Sequence, residues 1–383
     1  MIKISDKAHC CGCSVCFDAC PQNCISMVTD EEGFMYPEID SESCINCGVC
    51  DRVCPMDSSK REKDQITKTY AAWNKNPDIR IESTSGGVFT ALAEAVIRQG
   101  GVIVGAEYTA DNSVAHVVAD TNTEILRLRQ SKYVQSDTKG IYGLTKEALK
   151  SGKLVMFCGT PCHTEALVKY LKGKPDNLIL CDFICRGIIS PEVYREYLKY
   201  LEKKYRSKIT KVHFKNKTFG WHRFSTKISF KNGKEYLKDR YHDSYMLLYL
   251  RENIILRPSC YDCVFKGLNR CSDITLGDFW RSDDRYSEYD NDRGTSAVIV
   301  NSEVGHQLLF SATEDLEIHP VDAKSVIEGN PCIMESPVCN KDRSKFYNEL
   351  KLKGYAFIKR KYCSTFSNDL KKRIKIVLRS VKG

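Results

Sequence analysis

The chain has 383 residues, of which 42% are hydrophobic, and a formal net charge of +9 at pH 7. This length predicts two or three domains, and no apolar run approaches the roughly 18 to 20 residues of a membrane span, which excludes a membrane-embedded protein and predicts a cytoplasmic one. The charge is uneven, because residues 1–60 carry 4 basic and 10 acidic side chains and residues 341–383 carry 14 basic and 3 acidic ones.

The amino-terminal segment contains a repeated cysteine motif. There are 20 cysteines in the chain, and in a reducing compartment clustered thiols are more often metal ligands or redox groups than disulfides. The two copies, "CGCSVCFDACP" and "CINCGVCDRVCP", superpose with a shift of 34 residues. Their spacing is that of two-cluster bacterial ferredoxins, in which three thiolates of one run bind one 4Fe–4S cluster and the fourth binds the other.

This spacing predicts which thiolates share a cluster. The predicted ligands of the first cluster are Cys10, Cys13, Cys16 and Cys54. The predicted ligands of the second are Cys44, Cys47, Cys50 and Cys20. Structural zinc is the alternative, although its cysteine ligands usually come in separated pairs. Cys11 and Cys24 are left over, and we interpret them as core residues of this domain.

After a polar stretch, "DSSKREKDQITK", which reads as a linker, the pattern alternates between helices and strands. "STSGGVFTALAEAVIRQGG" places Val88, Leu92 and Val96 on one helical face and ends at two glycines, which predicts a helix. "GVIVGAEY", "KLVMFC" and "NLILCDFI" predict buried strands. "GTPCHTEALVKYL" and "CRGIISPEVYREYLKYLEKKY" predict turns that lead into helices. This order is typical of an α/β domain.

Two of these turns are candidate anion sites. The glycines of "STSGG" would let the backbone approach a phosphate at the start of a helix, although an N-cap by Thr84 or Ser85 explains the same residues. "FCGTPCH" is a second strand–turn–helix junction, where ligands of α/β proteins tend to bind. Between them lies Lys132 of "SKYVQS", which could meet a phosphate or the negative charge of a flavin, or remain solvated.

From Lys211 the pattern becomes antiparallel, because Asn232-Gly233 in "KISFKNGKEYL" is a favoured two-residue hairpin turn. Further on, three cysteines in "CYDCVFKGLNRC" suggest a third 4Fe–4S site: Cys260, Cys263 and Cys271. The candidates for its fourth ligand are Cys158, Cys162, Cys181 and Cys185. Zinc and ordinary buried cysteines are the alternatives. Cys332, Cys339 and Cys363 have no partner spacing.

The last segment, "SNDLKKRIKIVLRSVKG", places four apolar residues on one face among basic ones: Leu370, Ile374, Val377 and Val381. It predicts an amphipathic helix that either packs on its own domain or makes peripheral contact with an anionic membrane.

Six motifs, in this order, resemble the coenzyme F420 hydrogenase/dehydrogenase beta-subunit family. They are "STSGGVFTAL", "SKYVQS", "FCGTPCHTEAL", "CRGIISPEVY", "CYDC…SDITLGDFW" and "GTSAVIV". The resemblance implies a two-cluster ferredoxin domain ahead of a flavin domain that holds FAD and one 4Fe–4S cluster. It implies FAD contacts at Ser85, Gly86, Gly87, Lys132, Tyr133, Gly159, Thr160 and Pro161. It also supports the third cluster, and it favours Cys162 over Cys185 as the fourth ligand because "GTPC" is a motif of the family.

We therefore expect a chain of mixed α/β and α+β class. The expected parts are a two-cluster ferredoxin domain at 1–60, a linker at 61–70, an FAD-binding oxidoreductase domain with an antiparallel portion and the additional iron–sulfur site at 71–340, and a basic tail at 341–383.

The expected function is that of an iron–sulfur flavoprotein oxidoreductase, which passes electrons between ferredoxin-type clusters and FAD to reduce or oxidise a substrate or a deazaflavin-type coenzyme. The alternatives are an electron-transfer subunit without an organic substrate of its own, in some relatives near polysaccharide genes, and a zinc-holding scaffold. The expected partner is ferredoxin or another redox subunit, and the acidic first domain favours a basic one. No nucleic-acid partner is expected. Tyr133, His163 and Asp278 are each compatible with a proton donor, and none is indicated over the others.

Overall fold

The computed structural model describes residues 4–57, 68–280 and 285–364. The first range is a small domain with two short helices and one antiparallel hairpin. Its elements are α1 (Val15–Ala19), β1 (Ile25–Thr29), β2 (Met35–Ile39) and α2 (Val49–Arg52). Ser14 and Gly48 occupy equivalent positions in the two cysteine runs, and both adopt a left-handed backbone conformation directly before a helix. The two copies thus share a local backbone as well as a spacing.

The second range opens with alternating strands and helices. These are β3 (Lys68–Asn74), α3 (Pro77–Glu82), α4 (Val88–Arg98), β4 (Val102–Tyr108), β5 (Val114–Ala119), α5 (Asn122–Leu128), α6 (Ile141–Lys150), β6 (Val155–Gly159), α7 (Pro161–Leu171), β7 (Leu178–Phe183) and α8 (Pro191–Tyr205). The predicted strands "GVIVGAEY", "KLVMFC" and "NLILCDFI" are confirmed as β4, β6 and β7, and the three predicted helices as α4, α7 and α8.

The rest of the chain mixes hairpins and helices. Its elements are β8 (Ile209–Asn216), β9 (Ser225–Phe230), β10 (Glu235–Asp239), α9 (Ser244–Leu250), β11 (Ile274–Asp278), β12 (Ser296–Val300), α10 (Glu303–Ser311), β13 (Leu316–Pro320), α11 (Ala323–Gly329) and α12 (Arg343–Tyr362). The predicted hairpin is confirmed, since β9 and β10 pair antiparallel around Gly233, which has a positive φ of 79°.

An eight-stranded sheet organises the molecule in the order β13-β3-β12-β11-β7-β6-β4-β5. β4, β6, β7 and β11 run parallel, and β12 pairs antiparallel with both β11 and β3. β3 therefore points in the same direction as the parallel strands. All five strands consequently end at one edge of the sheet, the carboxyl edge, where ligands of α/β folds bind.

Helices cover both faces of this sheet. Successive residues of β6 alternate between the two faces, so that Met156 faces α4 and α10 while Phe157 faces α6 and α7. The first domain packs on the α6–α7 face, where Cys11, Cys13 and Val15 join that core. The three-stranded sheet β10-β9-β8 forms a separate core with α8, α9 and α12.

Two predicted boundaries differ from the observed ones. Lys68, placed in the linker at 61–70, already begins β3, because residues 68–72 pair with β12; residues 61–67 lie outside the described residues. The predicted basic tail at 341–383 contains α12, whose Phe346, Tyr355 and Ile358 are buried against α8 and α9.

The helix predicted around Leu370, Ile374, Val377 and Val381 lies outside the described residues. Within the described ranges, no helix is long and apolar enough to cross a membrane.

Candidate cluster and cofactor sites

Two cavities in the first domain are walled by the repeated cysteines. The first is lined by Cys10, Cys13, Cys16 and Cys54 among others. The second is lined by Cys44, Cys47, Cys50 and Cys20 among others. The structure therefore brings together the two quartets that the predicted exchange of Cys20 and Cys54 requires. No three potential ligands among the described residues converge closely enough for a single metal ion; the thiols instead surround these cavities.

The two cavities differ in their exposure. Cys10, Cys13 and Cys16 are buried, whereas Cys47 is exposed. The pKa of Cys16 is raised to about 12, chiefly because its thiol is buried and secondly because the thiolates of Cys10 and Cys54 lie nearby. Such crowded, buried thiolates require positive charge beside them. The iron of a 4Fe–4S cluster supplies that charge, so the donor set of the cavity fits the cluster.

A third cavity lies where the first domain meets the sheet. Its wall contains Cys162, Cys185, Cys260 and Cys263. Cys162 lies in the first turn of α7, after β6, and Cys185 follows the end of β7, so both lie at the carboxyl edge. Ile188 N donates a hydrogen bond of 3.2 Å to Cys260 Sγ. Burial raises the pKa of Cys260 to about 12, and this quartet fits a third cluster for the same reason as the first.

The cysteines that line this cavity differ from the predicted ligands at one position, because Cys185 lines it and Cys271 does not. Cys271 nevertheless packs on the same buried cluster as Cys162. Two residues after Cys271 the chain turns towards β11, where Asp273 N donates to Leu180 O of β7. Cys158 and Cys181, the other two candidates, lie on the α4 face of the sheet, on the side opposite Cys162. The sequence signal for Cys185 is its position immediately after a buried strand, which is the carboxyl edge.

The first and third cavities share part of their walls. Cys11 and Met56 line both. The Cys11 side chain, which is buried, lies within hydrogen-bonding reach of the thiols of Cys13 and Cys162. Cys11 is thus not simply a core residue of the first domain, as its sequence position suggested. It connects one predicted ligand of the first cluster with one candidate ligand of the third.

The eight residues predicted to contact FAD fall along the carboxyl edge. Gly86 packs between Ala72 of β3 and Ser296 of β12, where an added Cβ would come within 2.3 Å of Ala72 O. Gly159 ends β6, three to four strand positions away, or roughly 14 to 19 Å at about 4.8 Å per strand. Only an extended ligand could contact both turns. Ser131 N donates a hydrogen bond of 2.8 Å to Thr84 Oγ1. This bond holds the segment of Lys132 and Tyr133 beside the first turn, that of "STSGG".

Several of these residues already have protein partners. Lys132 Nζ donates to three carbonyls at the end of α5, those of Arg127, Leu128 and Arg129, at 2.7 to 3.0 Å. Lys132 would have to leave this cap to bind a phosphate. In the first turn, Ser85 Oγ donates to Thr295 O and Gly86 N donates to Ser296 Oγ, while Gly87 is the N-cap of α4 with a positive φ of 85°. In the second turn, Thr160 Oγ1 lies 2.9 Å from Cys162 Sγ. Pro161 lines the third cavity.

The predicted proton donors differ in how fully they are bonded. Asp278 accepts from Trp221 Nε1 at 3.2 Å and pairs with Lys215 Nζ. Tyr133 packs against Phe214 and Tyr249. In contrast, His163 Nδ1 and His116 Nε2 are buried without a hydrogen-bond partner among the described residues, and their rings are 5.1 Å apart. Because an added Cβ at Gly159 would lie 3.4 Å from His163 Nδ1, this unsatisfied atom belongs to the second turn and is compatible with a polar ligand there.

Comparisons with known proteins match most of the chain to two kinds of domain. Residues 69–141 match the sequence model of the coenzyme F420 hydrogenase/dehydrogenase beta subunit amino-terminal region, and residues 152–324 match that of its carboxyl-terminal region. Residues 9–58 match a 4Fe–4S dicluster domain. No curated protein matches the chain. A similar solved structure is a chain of the F420-reducing NiFe hydrogenase complex from Methanosarcina barkeri, with 17% identity and a TM-score of 0.49 over 76% of this chain and 96% of that one.

Proposed function

Because this chain belongs to the coenzyme F420 hydrogenase/dehydrogenase beta-subunit family and carries a 4Fe–4S dicluster domain, and is thus an iron–sulfur oxidoreductase subunit, we propose that it transfers electrons between a protein partner and a substrate through three clusters and FAD. The proposed substrate is a small organic oxidant or reductant or a deazaflavin-type coenzyme. The proposed ligands of the third cluster are Cys162, Cys185, Cys260 and Cys263.

The shared wall between the first and third cavities is the observation that carries this proposal. Cys11 and Met56 line both cavities, so the two quartets share part of one wall. Both side chains carry a polarizable sulfur atom. Cys16 of the first quartet and Cys50 of the second belong to one buried cluster, and Cys47 of the second is exposed. This arrangement gives a route from the surface through the second and first quartets to the third.

The carboxyl edge of the sheet is where the route would reach FAD. When bound, FAD exchanges a hydride as two electrons with a substrate and single electrons with clusters. In this protein Ser85 to Gly87 would hold one end of an extended cofactor and Gly159 to Pro161 the other. Pro161 and Cys162 are adjacent, so the same turn would contact FAD and bind the third cluster. His163 Nδ1, the unsatisfied buried atom of that turn, is its available polar contact.

Anaerobic reconstitution with iron, sulfide and FAD tests the proposal. We expect three 4Fe–4S signals by electron paramagnetic resonance and one FAD per chain after gel filtration. Dithionite should reduce the flavin only in protein that holds the clusters. Zinc in place of iron would contradict the whole proposal, whereas three clusters without retained flavin would contradict the FAD assignment alone.

A second candidate function is favoured by the exposed second quartet. Cys47 is exposed, and so are Glu38, Asp40 and Glu42, which precede it in the same domain. A cluster so close to the surface suits exchange with a protein partner, as an electron-transfer subunit without its own substrate requires. One assay distinguishes the two functions. If the chain has its own substrate, reduced ferredoxin should drive turnover of a candidate substrate or of coenzyme F420 by the purified chain alone. If it is an electron-transfer subunit, turnover should require a partner enzyme.

A further inference from the structure

Arg257 is a buried cation that reaches from the sheet domain into the first cavity. Its side chain is fully buried, and it precedes Cys260 by three residues. Arg257 Nε donates a hydrogen bond of 2.7 Å to Cys10 O. One terminal nitrogen of the guanidinium lies 3.4 Å from Cys10 Sγ and 3.0 Å from Met35 O. The guanidinium also lies over the Tyr36 ring at 4.2 Å. It therefore contacts a predicted cluster ligand at its sulfur atom.

The surrounding residues leave room for this contact. An added Cβ at Gly12 would lie 2.6 Å from a terminal nitrogen of Arg257, and Gly12 has a positive φ of 71°. Gln135 accepts from the guanidinium at 3.4 Å and donates to Gly12 O at 3.2 Å. The cysteine run and the sheet domain are thus fitted around one guanidinium. A buried cation is costly unless it has hydrogen bonds and a counter-charge. Carbonyls provide the first, and the thiolates of the first quartet provide the second.

In the second cysteine run the basic side chain is Arg52, which donates a hydrogen bond of 3.1 Å to Cys47 O and is exposed. Water and salt screen a charge at the surface, whereas a charge in a low-dielectric interior acts at nearly full strength. The two similar cysteine runs therefore lie in different electrostatic surroundings.

We propose that Arg257 is a positioning residue that raises the reduction potential of the cluster at Cys10, Cys13, Cys16 and Cys54. Hydrogen bonds to cluster sulfurs, net charge and solvent exposure set such potentials. Reduction adds one negative charge to a cluster and leaves its bonds intact, so a cation at Cys10 Sγ stabilises the reduced state. A higher potential of the first cluster favours electron transfer to it from the exposed second quartet. This inference rests on the proposed cluster ligands.

Redox titration of the full-length reconstituted protein, followed by electron paramagnetic resonance, tests this role. The signal that changes in Cys47→Ser identifies the second cluster. In Arg257→Gln, we expect the potential of the first cluster to fall relative to the second, so that the equilibrium constant for electron transfer between them drops at least tenfold, or about 59 mV for a one-electron couple. Arg52→Gln is the matched control and should leave the first cluster's potential unchanged.

The outcomes separate this inference from the proposed function. Wild-type protein without two clusters in its first domain would contradict the cluster assignment itself. Full iron content with an unchanged potential difference in Arg257→Gln would overturn the role of Arg257. If Arg257→Gln loses iron, Arg257→Lys is the variant that tests the inference. Its ammonium keeps the charge but cannot contact Cys10 and Met35 together, so we expect a smaller fall in the potential of the first cluster relative to the second. An unchanged potential difference in Arg257→Lys would overturn the inference.

Discussion

Single side chains join the cluster-binding domain to the sheet domain. The Asp18 carboxylate accepts from Gly140 N at 2.7 Å and from Tyr142 N at 3.0 Å, and so caps the start of α6 from outside its own domain. Arg343, at the start of α12, forms a two-pronged pair with Glu32 in the turn between β1 and β2. These partners lie more than a hundred residues apart in sequence. The distance between the first and third cavities is consequently fixed by the fold.

The ligand set of the third quartet is the sharpest prediction at the scale of residues. We expect Cys185→Ala to lose the third cluster, and with it about a third of the iron, because a 4Fe–4S cluster needs four protein ligands. Cys271→Ala should keep all three clusters, because Cys271 lies outside the cavity wall. Iron analysis and electron paramagnetic resonance of the two variants, reconstituted side by side, measure this. The reverse result would make Cys271 the ligand.

At the scale of elements, the end of α5 depends on a side chain that the sequence suggested for a ligand. The last carbonyls of a helix have no partner within the helix, and a cation near them also interacts favourably with the helix dipole. Lys132 Nζ donates to three of these carbonyls, and burial lowers the pKa of this amine to about 7, so that it is partly charged at neutral pH. Its ring neighbour, Tyr108 of β4, lies 5.9 Å away. Lys132 thus fastens α5 to the carboxyl edge of the sheet.

Lys132→Met should therefore destabilise the protein even without FAD. Loss of these hydrogen bonds to the carbonyls costs about 1–2 kcal/mol, which corresponds to a melting temperature lower by a few degrees. Lys139→Met is the control, since its exposed pair with Asp137 contributes little, and its melting temperature should hardly change. Differential scanning fluorimetry of flavin-free protein measures both. Unchanged stability with weaker FAD binding in Lys132→Met would instead assign Lys132 to the cofactor.

Elements whose signals are local could be predicted from the sequence, and those that depend on distant contacts could not. The grouping of Cys54 with the first run follows from a spacing within one motif, and α4 follows from a run of apolar residues between Ser85 and Gly100. By contrast, Cys185 and Cys260 are 75 residues apart, and only the order of strands at the carboxyl edge brings them together. Arg257 belongs to no motif, because its closest partners, Cys10 and Met35, lie more than 200 residues earlier in the chain.

At the scale of the whole molecule, acidic charge lies in the domain that holds the exposed quartet. In this first domain Glu38, Asp40 and Glu42 are exposed, while the third cavity lies where the domain meets the sheet. Residues 341–383 are rich in basic side chains, and one of them, Arg343, pairs with Glu32 of the first domain. An exposed acidic surface steers a basic partner to the surface cluster and has little effect on a buried one.

Electron exchange with a basic protein should therefore slow as salt is added. With cytochrome c as a basic acceptor, we expect the second-order rate constant to fall steeply between low and physiological ionic strength, because screening shortens the reach of the acidic surface. Glu38→Gln with Glu42→Gln should lower the low-salt rate by about three- to tenfold and flatten the salt dependence.

Glu303→Gln with Glu314→Gln, which neutralises two exposed acids of the sheet domain, is the matched control and should change neither the low-salt rate nor its salt dependence. An acidic ferredoxin should show the opposite salt dependence. A rate that is independent of salt for both carriers would mean that the exposed second quartet is not where the partner docks.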